Sequence, residues 1–176
     1  RADQHRVLPI AAILVADAVT ELGRSYLIDL TASPTSSGLF LDKRETRRRL
    51  MATDLTDKSV LNVFAHTGSL TVAAATAGAE TLTLDLSTRY LDWARENLRA
   101  NDFELGATHR VKQADCLAWL KQDLGPYDLI FMDPPVFSNS KRMDGVLDVQ
   151  RDYAWMIDDC MRMLKRDPAE RPTAAE

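Results

Sequence analysis

Short apolar runs alternate with stretches of helical periodicity along most of this chain. Ser59–Phe64 and Tyr127–Met132 read as buried strands, and Thr81–Asp85 and His109–Gln113 as two further strands. Between them, Ser69–Ala77, Thr88–Ala100 and Cys116–Gln122 read as helices. Gly78 is placed to stop the first of these helices, and Ser87 to cap the second. Tyr90, Leu91, Ala94 and Leu98 keep helical spacing and are expected to face the core. Strand alternating with helix predicts the α/β class with a parallel sheet. Upstream, Val19–Glu21 and Tyr26–Thr31 predict a hairpin turning at Leu22-Gly23-Arg24, and Ala32–Ser37 predicts a loop. Gly38–Asp42 then leads into a helix, with Asp42 as its N-cap and Glu45 three residues on, close to a capping box. Val149, Tyr153, Met156, Ile157, Cys160, Met163 and Leu164 mark one face of a last helix, from about Asp148 to Lys165. The pattern divides the chain into an N-terminal segment with a probable-hairpin signature (1–37), a core (38–166) and a polar tail expected to be disordered (167–176). Residues 1–15 carry no readable pattern, and no internal repeat is evident.

Composition narrows the function classes. At 176 residues the chain can build one domain with a real core. Its net charge of −4 argues against a basic protein that coats nucleic acid, so RNA contact would need local patches. Cys116 and Cys160 lie far apart and form no CxxC pair, which points to neither disulfide nor zinc site; no metal is expected. The apolar run Val7–Val19 is broken by Pro9 and Asp17, too short to span a bilayer, and lacks a clean cleavage site. A cytoplasmic protein without membrane contact is the expectation.

Two loops carry the candidate chemistry. Leu61-Asn62-Val63-Phe64-Ala65-His66-Thr67-Gly68-Ser69 runs from a strand into a helix through small residues, where free backbone N–H groups suit a bound cofactor. Asp133-Pro134-Pro135-Val136-Phe137 follows another strand, at the end of a parallel sheet where ligands bind. Its aromatic offers a flat face beside a polar tip, suited to a planar base; the plainer reading is a stiff turn. Asp85 ends the second strand and can accept from both ribose hydroxyls of a nucleoside cofactor, or simply form a turn. Asp115 can accept from an adenine amino group, cap the helix after it, or do both. A full GxGxxG is missing, which disfavours a nicotinamide cofactor. The basic helix with Lys43, Arg44, Arg47, Arg48 and Arg49 is either a solvated face or a phosphate-binding patch.

Val60–Ala79 with Leu84-Asp85, Gln113–Leu120, and Tyr127–Asp152 resemble the class I S-adenosylmethionine (SAM)-dependent methyltransferases, which have a Rossmann-like fold. The run Asp133–Met143, then Asp148–Asp152, together with Gly38–Arg44, is more specifically similar to the C-terminal (RlmK-type) domain of the bifunctional 23S rRNA guanine methyltransferases. The resemblance covers roughly Val19 to Lys165. It implies SAM as cofactor, 23S ribosomal RNA as partner, and methylation of guanine N7. It places Asn62, Phe64, Ala65, Thr67, Gly68 and Ser69, Asp85 with Leu86, and Asp115 with Cys116 around the cofactor. It makes Asp133, Pro134, Pro135 and Phe137 the catalytic loop, with Phe137 stacking the base and Asp133 and the Pro134 carbonyl reading its Watson–Crick edge. Lys141 and Arg142 would join Lys43, Arg44 and Arg47 in holding RNA phosphates, the plainer reading of the pair being a solvated loop. His66 stands where relatives usually place Tyr and is read as loop packing; Lys43 stands where His is common.

N7 of guanine presents a lone pair, so such a reaction needs alignment rather than a general base. Two alternatives remain. Cytosine-C5 methylation of rRNA would need a cysteine nucleophile, a role that neither Cys116 nor Cys160 fits by position. A non-catalytic cofactor- or RNA-binding remnant would keep the fold without turnover. Four readable strands in the family order 3-2-1-4, with the family's C-terminal strands apparently lacking, would leave Tyr127–Met132 at a sheet edge. That edge would invite self-association or cover by the N-terminal segment.

Overall fold

The computed structural model describes residues 17–30, 37–122, 125–138 and 146–165. Residues 1–16, 31–36, Lys141, Arg142 and 166–176 lie outside the described residues, and so do the expectations of a loop, a phosphate contact and a disordered tail that fall on them. Strands β1 (Asp17–Glu21) and β2 (Arg24–Ile28) form the expected hairpin, with Glu21 opposite Arg24. Leu22 and Gly23 both take positive φ, 54° and 76°, the conformation of a two-residue turn matched to strand twist.

The helix after Gly38 begins later than its sequence suggests. Leu41–Lys43 forms a 3-10 turn, and α1 runs Arg44–Met51 with Lys43 in the cap position and no side-chain cap. The expected capping box is therefore corrected: Asp42 lies inside the 3-10 turn, and Glu45 accepts instead from Arg48 and Arg49 at 2.7–2.9 Å. Three guanidinium and carboxylate side chains one turn apart compete better for each other than for the backbone.

From there strand and helix alternate as expected: β3 (Ser59–Val63), α2 (Ser69–Thr76), β4 (Glu80–Asp85), α3 (Thr88–Arg99), β5 (His109–Gln113), α4 (Cys116–Gln122) and β6 (Leu129–Met132). The four strands are parallel in the order β5-β4-β3-β6. This is the 3-2-1-4 order, and among the described residues β6 has one strand partner. Tyr127 leaves the strand to bridge Leu164 instead: its N–H donates to the Met163 carbonyl at 2.8 Å and its carbonyl accepts from Lys165 N–H at 2.7 Å. A two-residue pair, β7 (Phe137–Ser138) with β8 (Leu147–Asp148), precedes the last helix, α5 (Val149–Met163).

Burial on both faces explains the apolar strands. Leu61, Val63, Leu82 and Leu84 pack with Leu117, Leu120, Met156 and Met163 of α4 and α5. On the other face Val60 packs with Leu50, Leu55, Ala73 and Ala74. Helix α2 is buried along Leu70–Ala75, and its small side chains let it lie close to the sheet. The polar residues on that side are satisfied: Asn62 Nδ2 donates to Thr71 Oγ1, which lies 2.9 Å from Thr83 Oγ1. Gly78 follows α2 with φ 92°, the left-handed stop expected of it. Helix α5 buries Met156, Cys160 and Met163, whereas Tyr153 and Ile157, expected on the same face, are exposed. Their positions fall on one flank of the buried stripe. Among the described residues no helix is long and apolar enough to cross a membrane.

Two devices attach the N-terminal hairpin. Arg47, fully buried, donates from Nε and Nη2 to the two carboxylate oxygens of Glu21 at 2.8 and 2.9 Å, and from Nη1 to the Phe40 carbonyl. Just past the end of α3, Asn101 takes both backbone groups of Ser25; on α3 itself, Asn97 Oδ1 accepts from Leu27 N–H and Trp93 Nε1 donates to the Leu27 carbonyl. The backbone edge of β2 is thereby paired by side chains, there being no third strand beside it among the described residues.

Candidate active site

The carboxyl ends of β3, β4 and β6 open onto one cavity of about 630 Å3, a size suited to a cofactor with part of a substrate. Its floor is the turn between β3 and α2. Phe64, His66 and Gly68 all have positive φ there (58°, 52° and 72°), so the backbone curls tightly before α2 begins. For Phe64 and His66 this costs roughly 1–2 kcal/mol each, strain of the kind held at ligand sites. Gly68 is required twice over, since a Cβ would also lie 2.8 Å from the Ala94 Cβ. The turn is tied down by Ala65 N–H to the Leu84 carbonyl, Thr67 Oγ1 to the Gly38 carbonyl, and Asn97 Nδ2 to the Thr67 carbonyl.

Asp85 closes β4 with its carboxylate held between backbone donors: His66 N–H at 2.8 Å on one oxygen and Ser87 N–H at 2.9 Å on the other. Burial raises its pKa despite these bonds. Two carboxylate oxygens offer about four acceptor sites, so a cofactor's hydroxyls can still be accepted. Asp115 lines the cavity and also receives Leu117 N–H at 2.9 Å at the start of α4. Asn62, Phe64, Ala65, Ser69, Leu86 and Cys116 complete this side, while Thr67 and Gly68 shape the turn from behind rather than line the cavity. Replacing Asp85 by Ala should weaken SAM binding by about 1.5–3 kcal/mol, the range for hydrogen bonds to a charged group. Calorimetric titration of the folded variant reads this directly, and an unchanged affinity would take Asp85 out of the site.

Asp133, Pro134, Pro135, Val136 and Ser138 form the opposite wall. Phe137 lies between two lining residues but is itself 58% exposed on β7, outside the cavity. Of the basic residues expected to hold phosphate, Lys43 reaches into the cavity, with Nζ 3.0 Å from the Asp133 carboxylate. The Asp133 hydrogen bond raises its pKa, so the ammonium form persists. Arg44 is exposed on the surface. Arg47 is corrected: a guanidinium sealed in an ion pair with Glu21 offers nothing to a phosphate.

Sequence reasoning did not find two aromatic lining groups, Phe40 and Tyr90. Phe40 and Tyr90 hold the His66 ring between them, with centroid distances of 4.8 and 4.1 Å. Tyr90, expected in the core, thus faces the cavity. Burial pushes the His66 imidazole down to about 4, so it is neutral near pH 7 between its two aromatic neighbours. Only the aromatic character of Phe40 and Tyr90 hinted at this role.

A family model for S-adenosylmethionine-dependent methyltransferases matches residues 9–167. The chain belongs to that family. More particularly, it is 47% identical over 150 residues to a ribosomal RNA large subunit methyltransferase K/L of Aliivibrio salmonicida, covering 85% of this chain and 21% of the relative. It is 50% identical over 147 residues to the enzyme of the same name from Ectopseudomonas mendocina, covering 83% of this chain and 20% of that one. The chain thus spans about a fifth of the length of these relatives. Among solved structures, a methyltransferase complexed with SAH superposes with a TM-score of 0.78 at 31% identity, covering 86% of this chain and 40% of that one. A SAM-dependent methyltransferase from Agrobacterium tumefaciens does so with a TM-score of 0.77 at 28% identity, covering 89% and 51%.

Proposed function

We propose that this chain catalyses transfer of the SAM methyl group to N7 of a guanine in 23S ribosomal RNA. The observation that carries the reading is the single cavity in which the acids Asp85 and Asp115 face the Asp133-Pro134-Pro135 wall. A donor held on one side and a base on the other meet there in line, and alignment is what this reaction requires. The large-subunit rRNA relatives support the substrate class, and the resemblance of Asp133–Met143 to the RlmK-type domain supports N7. Neutral His66 suits a nucleophile that already owns its lone pair.

Cytosine-C5 transfer is disfavoured by the thiols. Burial pushes Cys116 up to about 12 and Cys160 up to about 11, so neither supplies a thiolate. Incubating unmodified 23S rRNA with the protein and SAM, then mapping modified bases by mass spectrometry, tests the reading. A 7-methylguanine is expected; a methylated cytosine, or no product, would overturn it.

Phe137, exposed between the lining residues Val136 and Ser138, would serve as a stacking platform for a base taken out of its helix. Phe137→Ala should leave SAM affinity unchanged and lower methyl transfer by about 1–3 kcal/mol of stacking. Normal rRNA methylation by the variant would mean that the base is held elsewhere.

A further inference from the structure

Resting on the guanine reading above, we infer that Lys43 is a base-reading residue, and that Lys43 and Asp133 together select guanine by its Watson–Crick edge. Lys43 comes from the 3-10 turn before α1 and Asp133 from the end of β6, yet Nζ lies 3.0 Å from Oδ2 and both side chains line the cavity. An ammonium has three donors and no acceptor, whereas a carboxylate offers acceptors alone. Side by side they present one donor next to two acceptors. Guanine displays the complement in the same order: O6 accepts, N1–H donates, and the N2 amino group donates. Lys43 donates to O6, while the two oxygens of Asp133 accept from N1–H and N2–H.

The other bases meet this pair badly. Adenine and cytosine turn an amino group toward the ammonium and a bare ring nitrogen toward the carboxylate, followed by a C–H in adenine and a carbonyl in cytosine. Uracil satisfies Lys43 and one oxygen but sets its O2 against the other. A site built from fixed donors and acceptors rejects such mismatches more strongly than shape alone does. The ion pair also explains why Lys43 is not spent on phosphate: it is one third exposed and turned inward, while Arg44 beside it is 71% exposed. Its raised pKa keeps the donor charged.

The test uses the full chain and unmodified 23S rRNA to locate the modified guanine, then a synthetic RNA spanning it. That RNA carries guanine, 6-thioguanine (O6 replaced by a weak acceptor) or inosine (N2 amine removed) at the target. Wild-type protein should lose roughly tenfold to hundredfold in kcat/KM on 6-thioguanine and on inosine. Lys43→Met should show a comparable loss on guanine with little further loss on 6-thioguanine, and the full inosine penalty. Lys43→Arg should restore part of the activity on guanine. SAM affinity, measured by calorimetry, should be unchanged in Lys43→Met, which also reports that the variant is folded. If the 6-thioguanine penalty survives in full in Lys43→Met, or SAM affinity falls with activity, Lys43 does not read O6 and the inference fails while the guanine assignment stands. If wild-type protein modifies no guanine, both fail.

Discussion

Arg47→Met should destabilise the fold by about 3–5 kcal/mol, because it leaves the buried Glu21 carboxylate without its partner. The magnitude follows from burial. An exposed arginine pair contributes 0–1 kcal/mol, but this guanidinium is wholly inside, bound to both Glu21 oxygens and to the Phe40 carbonyl. It also lies over the ring of buried Tyr26, 5.4 Å from the centroid. Arg44 Nε, 3.7 Å from Glu21, can offset part of the loss, so the lower end of the range is expected. Pairing Arg47→Met with Glu21→Leu should recover much of it, since an apolar pair carries no uncompensated charge. Urea denaturation followed by circular dichroism reads the change as a shifted midpoint with an unaltered slope. A loss below about 1 kcal/mol, the surface-pair range, would show that Arg47 is solvated and return it to the RNA-binding patch.

The misreading of Arg47 shows where sequence logic ran short. Five basic residues between Lys43 and Arg49 look like one charged face, and charge alone does not say which one turns inward. A signal was present: Arg47 stands three residues before Leu50 and four before Met51, on the apolar stripe of the helix. Glu21, at the end of an apolar strand, was its natural partner, but pairing them requires the hairpin to dock on α1. The sheet was legible because Ser59–Phe64 and Tyr127–Met132 are largely apolar runs, because strand and helix signals alternate between them, and because the order followed from resemblance. Asp85 and Asp115 were legible because residues that end parallel strands reach the ligand crevice whatever the details of packing. Phe40 and Tyr90 were not, and Lys43 was read as a phosphate contact rather than a cavity residue, because these enter the cavity from a segment before the sheet and from the first turn of α3. Such convergence is set by tertiary packing, which leaves no period in the sequence.

Asn97 binds two parts of the molecule that the sequence keeps far apart, and Asn97→Ala should damage both. Its carbonyl oxygen accepts from Leu27 N–H of the hairpin at 2.8 Å, and its amide donates at 2.8 Å to the Thr67 carbonyl in the turn that floors the cavity. Alanine leaves both backbone groups unpaired, at about 1–3 kcal/mol each where water is excluded. A total loss of about 2–5 kcal/mol is expected, without the charge effect of Arg47 but at a similarly buried position. The turn that loses its anchor carries Phe64 and His66 in strained conformations, which persist only while the surroundings hold them. SAM affinity should therefore fall along with stability, although Asn97 does not line the cavity. Asn101→Ala is the matched control. It breaks the bonds to Ser25, destabilising the hairpin to a similar degree, but it has no bond to the turn. Denaturation and calorimetric titration of both variants separate the two effects. Equal SAM affinities for the two folded proteins would mean that Asn97 serves the hairpin alone and that the turn holds its shape unaided.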